Sequence, residues 1–246
     1  MHNSYNEIKA KVEQYFGTGR SESGNRRLTS ENQGRMVFDF VKKTSNNAWI
    51  CEIGSLYGYI TTVMGLACLG SNRRIVTIDH MIGGYCMSMD RRPKCIYLEL
   101  VDNLRHFGVW DKIVPFPMKS HGIQYDELYQ KEPYSANFLR EVHFQAYEML
   151  HLSGVVFEYM YIDGNHSKPN VLLELELYTK LLKKGGVVTG DDCGVHGKPF
   201  LEAFKRGNVP GTYSNGVAEA VFEFFVDNGE FEPVEAAGNQ FGFRKL

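Results

Sequence analysis

Residues 50–61 read Ile50-Cys51-Glu52-Ile53-Gly54-Ser55-Leu56-Tyr57-Gly58-Tyr59-Ile60-Thr61. An apolar, β-prone run (Ala48, Trp49, Ile50) leads into an acid, a glycine, and a second glycine four residues on. Ile60, Val63, Met64, Ala67 and Leu69 then keep roughly the i, i+3, i+4 spacing of a buried helix face. Strand, glycine turn and helix in succession is how an open α/β sheet makes a nucleotide-sized crevice at a strand's carboxyl end. The spacing is not G-x-G-x-x-G, so the turn lacks the glycine that admits a pyrophosphate. Glu52 at the strand end disfavours a phosphate and favours a ligand carrying a cationic group.

Outward from this turn the chain alternates helix and strand. Ile8 to Phe16 has amphipathic helical spacing, and Gly17 to Asn25 is a loop by composition. Ser30 and Gln33 have capping-box spacing, which starts a helix near residue 31. Arg74 to Asp79 is a second strand, and its terminal acid lies about 25 residues beyond Gly54. That spacing suits a carboxylate that accepts hydrogen bonds from a ribose diol, or a turn cap. The Met-rich stretch 80–94 either covers a bound molecule or tucks over the sheet edge. Ile96 to Phe107 is helical in pattern. Ile113 to Met118 carries two prolines and reads as an edge strand. Residues 121–135 show no clear pattern, and Phe138, Leu139, Val142, Ala146, Met149 and Leu150 form a helical apolar stripe.

The second informative region begins at Val155, where a strand runs to Asp163-Gly164-Asn165-His166-Ser167. A helix follows with Val171, Leu172, Leu175, Tyr178, Leu181 and Leu182 on its buried side, closed by Lys183-Lys184-Gly185-Gly186. Val187 to Thr189 is a fifth strand ending in Gly190-Asp191-Asp192. If these strands pair, Asp163, Asp191 and Asp192 converge at one rim. Crowded carboxylates need a cation, a shared proton or diverging orientations. An oxygen-only donor set favours a hard ion such as magnesium. Ala218 to Val226 and Gln240 to Lys245 read as two strands of a terminal antiparallel hairpin.

Composition narrows the partners. The chain has 246 residues, 43% of them hydrophobic, enough for one large core, and its formal net charge is −2. No basic surplus points to nucleic acid. Five scattered cysteines without a C-x-x-C pair fit a reduced, cytoplasmic protein, and no apolar run approaches a membrane span.

The run Y-I-D-G-N-H-S, a leucine-rich helix, K-K-G-G and V-V-T-G-D-D, together with E-x-G-x-x-x-G at Glu52 to Gly58, resembles class I S-adenosylmethionine-dependent methyltransferases. Within them it is most similar to the metal-dependent small-molecule O-methyltransferases, the catechol and macrolide-sugar enzymes among them. The resemblance implies a Rossmann-like seven-stranded, mostly parallel sheet with an antiparallel last strand and helices on both faces. It also implies a methyltransferase domain over 30–246, preceded by a helix and mobile loop, 1–29, that cover the site. Carried over by position, Glu52, Gly54, Ser55, Tyr57, Gly58, Asp79, Ser120 and Asp163 would contact S-adenosylmethionine. Asp163, Asp191 and Asp192 would hold Mg2+ or another divalent cation. His166, three residues after the first ligand, would be the general base, with Lys168 as a weaker alternative. The expected partner is a small hydroxylated acceptor, a sugar or other specialised metabolite, with neither nucleic acid nor membrane; homo-oligomerisation is left open. Two other readings compete: a nicotinamide-dependent oxidoreductase, weakened by the missing G-x-G-x-x-G, and a non-catalytic cofactor-binding relative.

Overall fold

A computed structural model describes residues 4–17, 30–81, 95–121, 145–193, 216–226 and 228–246. In chain order the main elements are α1 (Tyr5–Phe16), α2 (Glu31–Lys43), β1 (Trp49–Ile53), α3 (Tyr59–Cys68), β2 (Arg74–Ile78), α4 (Ile96–His106) and β3 (Ile113–Phe116). They continue with α5 (Ala146–Ser153), β4 (Phe157–Ile162), α6 (Lys168–Tyr178), β5 (Leu182–Gly190), α7 (Val217–Phe225), β6 (Phe231–Pro233) and β7 (Phe241–Lys245).

The strands form a seven-stranded sheet in the order β3-β2-β1-β4-β5-β7-β6. β7 runs antiparallel to both of its neighbours, while the pairs from β3 to β5 are parallel. The proline-bearing β3 lies at the edge, where a missing backbone N–H is tolerated. Chain order reverses between β1 and β4, and a sheet of this kind opens its crevice beyond the carboxyl ends at such a switch point. Register puts the key residues there together. Ile53 pairs with Ile78 on one side and Ile162 on the other, and Ile162 pairs with Gly190. Gly54, Asp79, Asp163 and Asp191, each the next residue along, therefore share one rim.

Successive side chains of a strand face opposite sides, and the core divides accordingly. Ile50, Ile75, Tyr159 and Tyr161 pack with α1, α2 and α3. Cys51, Val76, Met160, Val188, Phe241 and Phe243 pack with α6 and α7 on the other face. α1 contributes Tyr5, Ile8, Val12 and Phe16 to the first layer. α2 begins with the expected capping box: Gln33 N donates to Ser30 Oγ, and Ser30 N donates to Gln33 Oε1 at 2.7 Å.

Two local expectations are corrected. Val217–Phe225 is a helix, not a strand: Val217, Ala218, Ala220, Val221, Phe222 and Phe225 are buried, while Glu219 and Glu223, four apart, face out. A nearly continuous apolar run satisfies both periods, and burial on α6 selects the helical one. The hairpin partner of β7 is Phe231–Pro233 instead. The second correction concerns Lys183–Gly186, which does not cap α6. The helix ends at Tyr178, passes through one 3-10 turn at Thr179–Leu181, and β5 starts at Leu182. The four residues are absorbed where the register steps from Phe157↔Leu182 to Tyr159↔Val187, with Gly185 at φ +78°. The loop readings at 18–25, 82–94 and 122–135, and Phe138, Leu139 and Val142 of the apolar stripe, lie outside the described residues.

Candidate active site

The glycine turn is held by close backbone approach. Gly54 N donates to Ile78 O and Asp163 N to Ile53 O, both at 2.8 Å, so the ends of β2, β1 and β4 are tied side by side. Gly54 has φ +87°, and a side chain there would collide with the Asp163 carbonyl. Gly58, at φ +84°, is the N-cap of α3, and a Cβ on it would collide with Leu100. Between them Ser55 is buried, and Tyr57 O accepts from Asn103 Nδ2 at 2.7 Å. Asn103 in turn accepts from the Tyr15 hydroxyl at 2.8 Å, which links α1 to the turn through α4.

The two acids of this half differ in depth. Asp79 lies at the end of β2 and accepts from Leu56 N at 2.9 Å and Met81 N at 2.8 Å. A carboxylate has about four acceptor positions, so capacity remains for a diol. Glu52 is fully buried beneath the turn. Its Oε2 accepts from Thr61 Oγ1 at 2.7 Å and Thr77 Oγ1 at 2.5 Å, and its Oε1 has no hydrogen-bond partner among the described residues. Burial pushes its carboxyl up to about 7, against which the two hydroxyl donors pull only partly. Ser120 turns its hydroxyl onto Glu174 Oε1 at 2.6 Å, while its carbonyl accepts from the Tyr178 hydroxyl. Glu174 is buried, and desolvation raises it to about 7 as well.

At the rim beside the turn, Asp163, His166 and Asp192 converge. One donor atom from each lies within 4.8 Å of the others. His166 Nε2 is 3.2 Å from Asp192 Oδ2 and 3.5 Å from Asp163 Oδ1. Asp192 has φ +57°, a left-handed conformation that Asp tolerates better than most residues. The hydrogen bond to Asp163 raises the pKa of His166 against the lowering effect of burial. Burial likewise raises Asp163 and Asp191, and the neighbouring aspartate charges push the same way.

Asp191 belongs to the rim but not to the triad of converging donors. Its Oδ1 accepts from Gln33 Nε2 at 2.6 Å and from Asp192 N at 2.8 Å. Gln33 Nε2 also donates to Asn239 Oδ1 at 2.6 Å, and Asn239 Nδ2 donates to Asp192 Oδ1 at 3.4 Å. The sequence marked Gln33 only as a helix cap and passed over Asn239, Asn103 and Glu174. Lys168 is drawn away from the carboxylates: its ammonium is 2.7 Å from Glu223 Oε2 on α7. The donor set fits a hard divalent cation, since acidic oxygens crowd at one point and the cationic partner found among them is a partly exposed imidazole.

Residues 51–193, more than half of the chain, match the family described as a methyltransferase domain. No curated protein matches the chain. Among solved structures it is similar to an O-methyltransferase from Bacillus cereus in complex with SAH, with 17% identity and a TM-score of 0.52, covering 97% of each chain. A SAH-bound methyltransferase from Podospora anserina shares 14% identity at a TM-score of 0.55, over 98% of this chain and 94% of that one. A TDP-rhamnose 3'-O-methyltransferase of calicheamicin biosynthesis shares 12% identity at a TM-score of 0.55, over 99% of this chain and 88% of that one. At such identities the likeness is one of fold. No helix among the described residues is long and apolar enough to cross a membrane.

Proposed function

We propose that this chain, which belongs to the methyltransferase domain family, transfers a methyl group from S-adenosylmethionine to a hydroxyl of a small molecule. The acceptor in this reading is a sugar or other specialised metabolite, in a cytoplasmic setting consistent with the free Cys51, Cys68, Cys95 and Cys193. The observation that carries the reading is the convergence of Asp163, His166 and Asp192 at the rim beside the glycine turn. The SAH named with the Bacillus cereus and Podospora anserina proteins supports the methyl donor, and the TDP-rhamnose enzyme supports a hydroxyl acceptor.

The donor contributes an electrophilic methyl on a sulfonium: the C–S bond breaks as the acceptor oxygen forms the new C–O bond. Asp79 would hold the ribose diol on its remaining acceptor positions, and the Gly54–Gly58 turn would leave room for the donor beside the backbone. An aliphatic hydroxyl, and even a phenol with a pKa of ~10, is mostly protonated at neutral pH. Asp163 and Asp192, with Asp191 adjoining, would hold a divalent ion that lowers the pKa of the acceptor hydroxyl when bound. A hard ion prefers the carboxylate oxygens, which leaves the imidazole of His166 for the proton. His166, partly exposed beside them, would remove it as general base once the ion takes up the carboxylate oxygens that its Nε2–H now faces.

A panel of hydroxylated sugars and phenols with labelled S-adenosylmethionine tests the proposal. Methyl transfer should vanish in excess EDTA and return with magnesium. Full turnover with metal content verified as negligible would remove the ion from the mechanism.

A further inference from the structure

Resting on that reading, we infer that Gln33 is a positioning residue for the acidic pair at the end of β5, and that Asn239 is its relay to Asp192. Gln33 sits in the first turn of α2, is 4% exposed, and uses every polar atom of its side chain. Oε1 accepts from Ser30 N, and Nε2 donates to Asp191 Oδ1 and Asn239 Oδ1, both at 2.6 Å. Asn239, ahead of β7, passes the contact on to Asp192 Oδ1. Asp191, Gln33, Asn239 and Asp192 thus close a ring, completed by Asp192 N on Asp191 Oδ1.

This ring fixes which oxygens face the crevice. Two adjacent carboxylates without it would swing apart or share a proton. With it, one oxygen of Asp191 is turned to α2, and Asp192, in its left-handed conformation, presents Oδ2 to His166. Donors that orient metal-binding carboxylates typically matter about 10- to 100-fold in cation affinity. Gln33 also ties the front of α2 to the rim, so the N-terminal cap and the C-terminal segment ahead of β7 are set by one amide.

The capping role and the positioning role can be separated. Gln33→Met keeps the volume and removes the donor, but it also removes the acceptor for Ser30 N. Ser30→Ala removes the other half of the same capping box and leaves the Gln33 amide in place. Mn2+ titrated into the full chain, followed by electron paramagnetic resonance, reads the site without needing an acceptor. Calorimetric SAH titration serves as the control on the other half of the crevice. The expected result is Mn2+ affinity about tenfold weaker in Gln33→Met, unchanged in Ser30→Ala, and SAH affinity unchanged in both. Asn239→Ala should weaken Mn2+ in the same direction, and it scores the inference if Gln33→Met does not fold. Asp192→Asn reports on the underlying reading. If Asp192→Asn loses Mn2+ while Gln33→Met and Asn239→Ala bind it normally, the cation site stands and the positioning role is overturned. Equal loss in Gln33→Met and Ser30→Ala would reduce Gln33 to a cap. A wild-type chain that binds no Mn2+, or an Asp192→Asn variant that binds it normally, overturns both.

Discussion

Asp79 and Asp163 each directly follow the last residue of a parallel strand, and they meet different surroundings. Asp79 receives two backbone N–H groups, from Leu56 and Met81, with the His80 imidazole 3.8 Å away and, among the described residues, no second carboxylate in the cluster. Asp163 faces another carboxylate, Asp192, and an imidazole that approaches both. Glu52, behind the turn on the Asp79 side, is accommodated by two threonine hydroxyls and by burial that favours its protonated form. On the β1–β2 side the protein meets its own acidic groups with donors and desolvation, and what remains is acceptor capacity for a neutral, hydroxyl-bearing ligand. On the β4–β5 side burial also raises Asp163 and Asp191, and Asp191 takes donors from Gln33 and Asp192 N, but Asp163 and Asp192 still crowd around one imidazole, the place proposed above for an added cation. In the proposed function the same residue type serves binding in one half and chemistry in the other.

The largest expected effect falls on the chemical half. His166→Ala should lower methyl transfer by roughly 100- to 10,000-fold, with S-adenosylmethionine affinity nearly unchanged. Wild-type rate should rise with pH as the imidazole loses its proton. The pH–rate profile of the variant should lack that limb. If the limb persists at near-normal rate, another group takes the proton.

Glu52 gives the next effect, on stability. Burial places its folded pKa at about 7, above the ordinary carboxyl value of 4.5, so the folded state holds the proton more tightly. That contribution is fully present below about pH 4.5 and is lost as pH rises through 7, about 3 kcal/mol at most. Glu52→Gln should flatten urea-derived stability across this window by that share. An identical slope in wild type and variant would mean the carboxyl titrates normally.

Smaller still, Asp79→Ala should weaken S-adenosylmethionine by about 1.5–3 kcal/mol, the worth of charge-assisted hydrogen bonds to a diol. Calorimetry would show it, and an unchanged affinity would take the ribose away from Asp79.

Much of this division was legible in the chain because its signals are local. Strand, glycine and helix around Gly54, the acid ending β2, and Asp163 and Asp191 ending β4 and β5 are all patterns within a few residues. The failures have a common cause in long-range packing. Val217–Phe225 satisfies two periodicities, and only its burial against α6 decides between them. Gln33 and Asp191 are 158 positions apart, so their contact leaves no trace in either neighbourhood. Composition did not show that Ser120 would turn inward to Glu174, or that Glu52 would lie beneath the turn, because both depend on which side of a packed layer an oxygen falls.

The division of the crevice is tested most directly by titrating S-adenosylmethionine into the chain by calorimetry, once in excess EDTA and once in magnesium. The account predicts one site per chain with the same affinity in both, and no comparable heat with NAD, because the donor belongs to the glycine-turn half and the ion to the aspartate half. Failure to bind S-adenosylmethionine, or binding that appears only with magnesium, would contradict it.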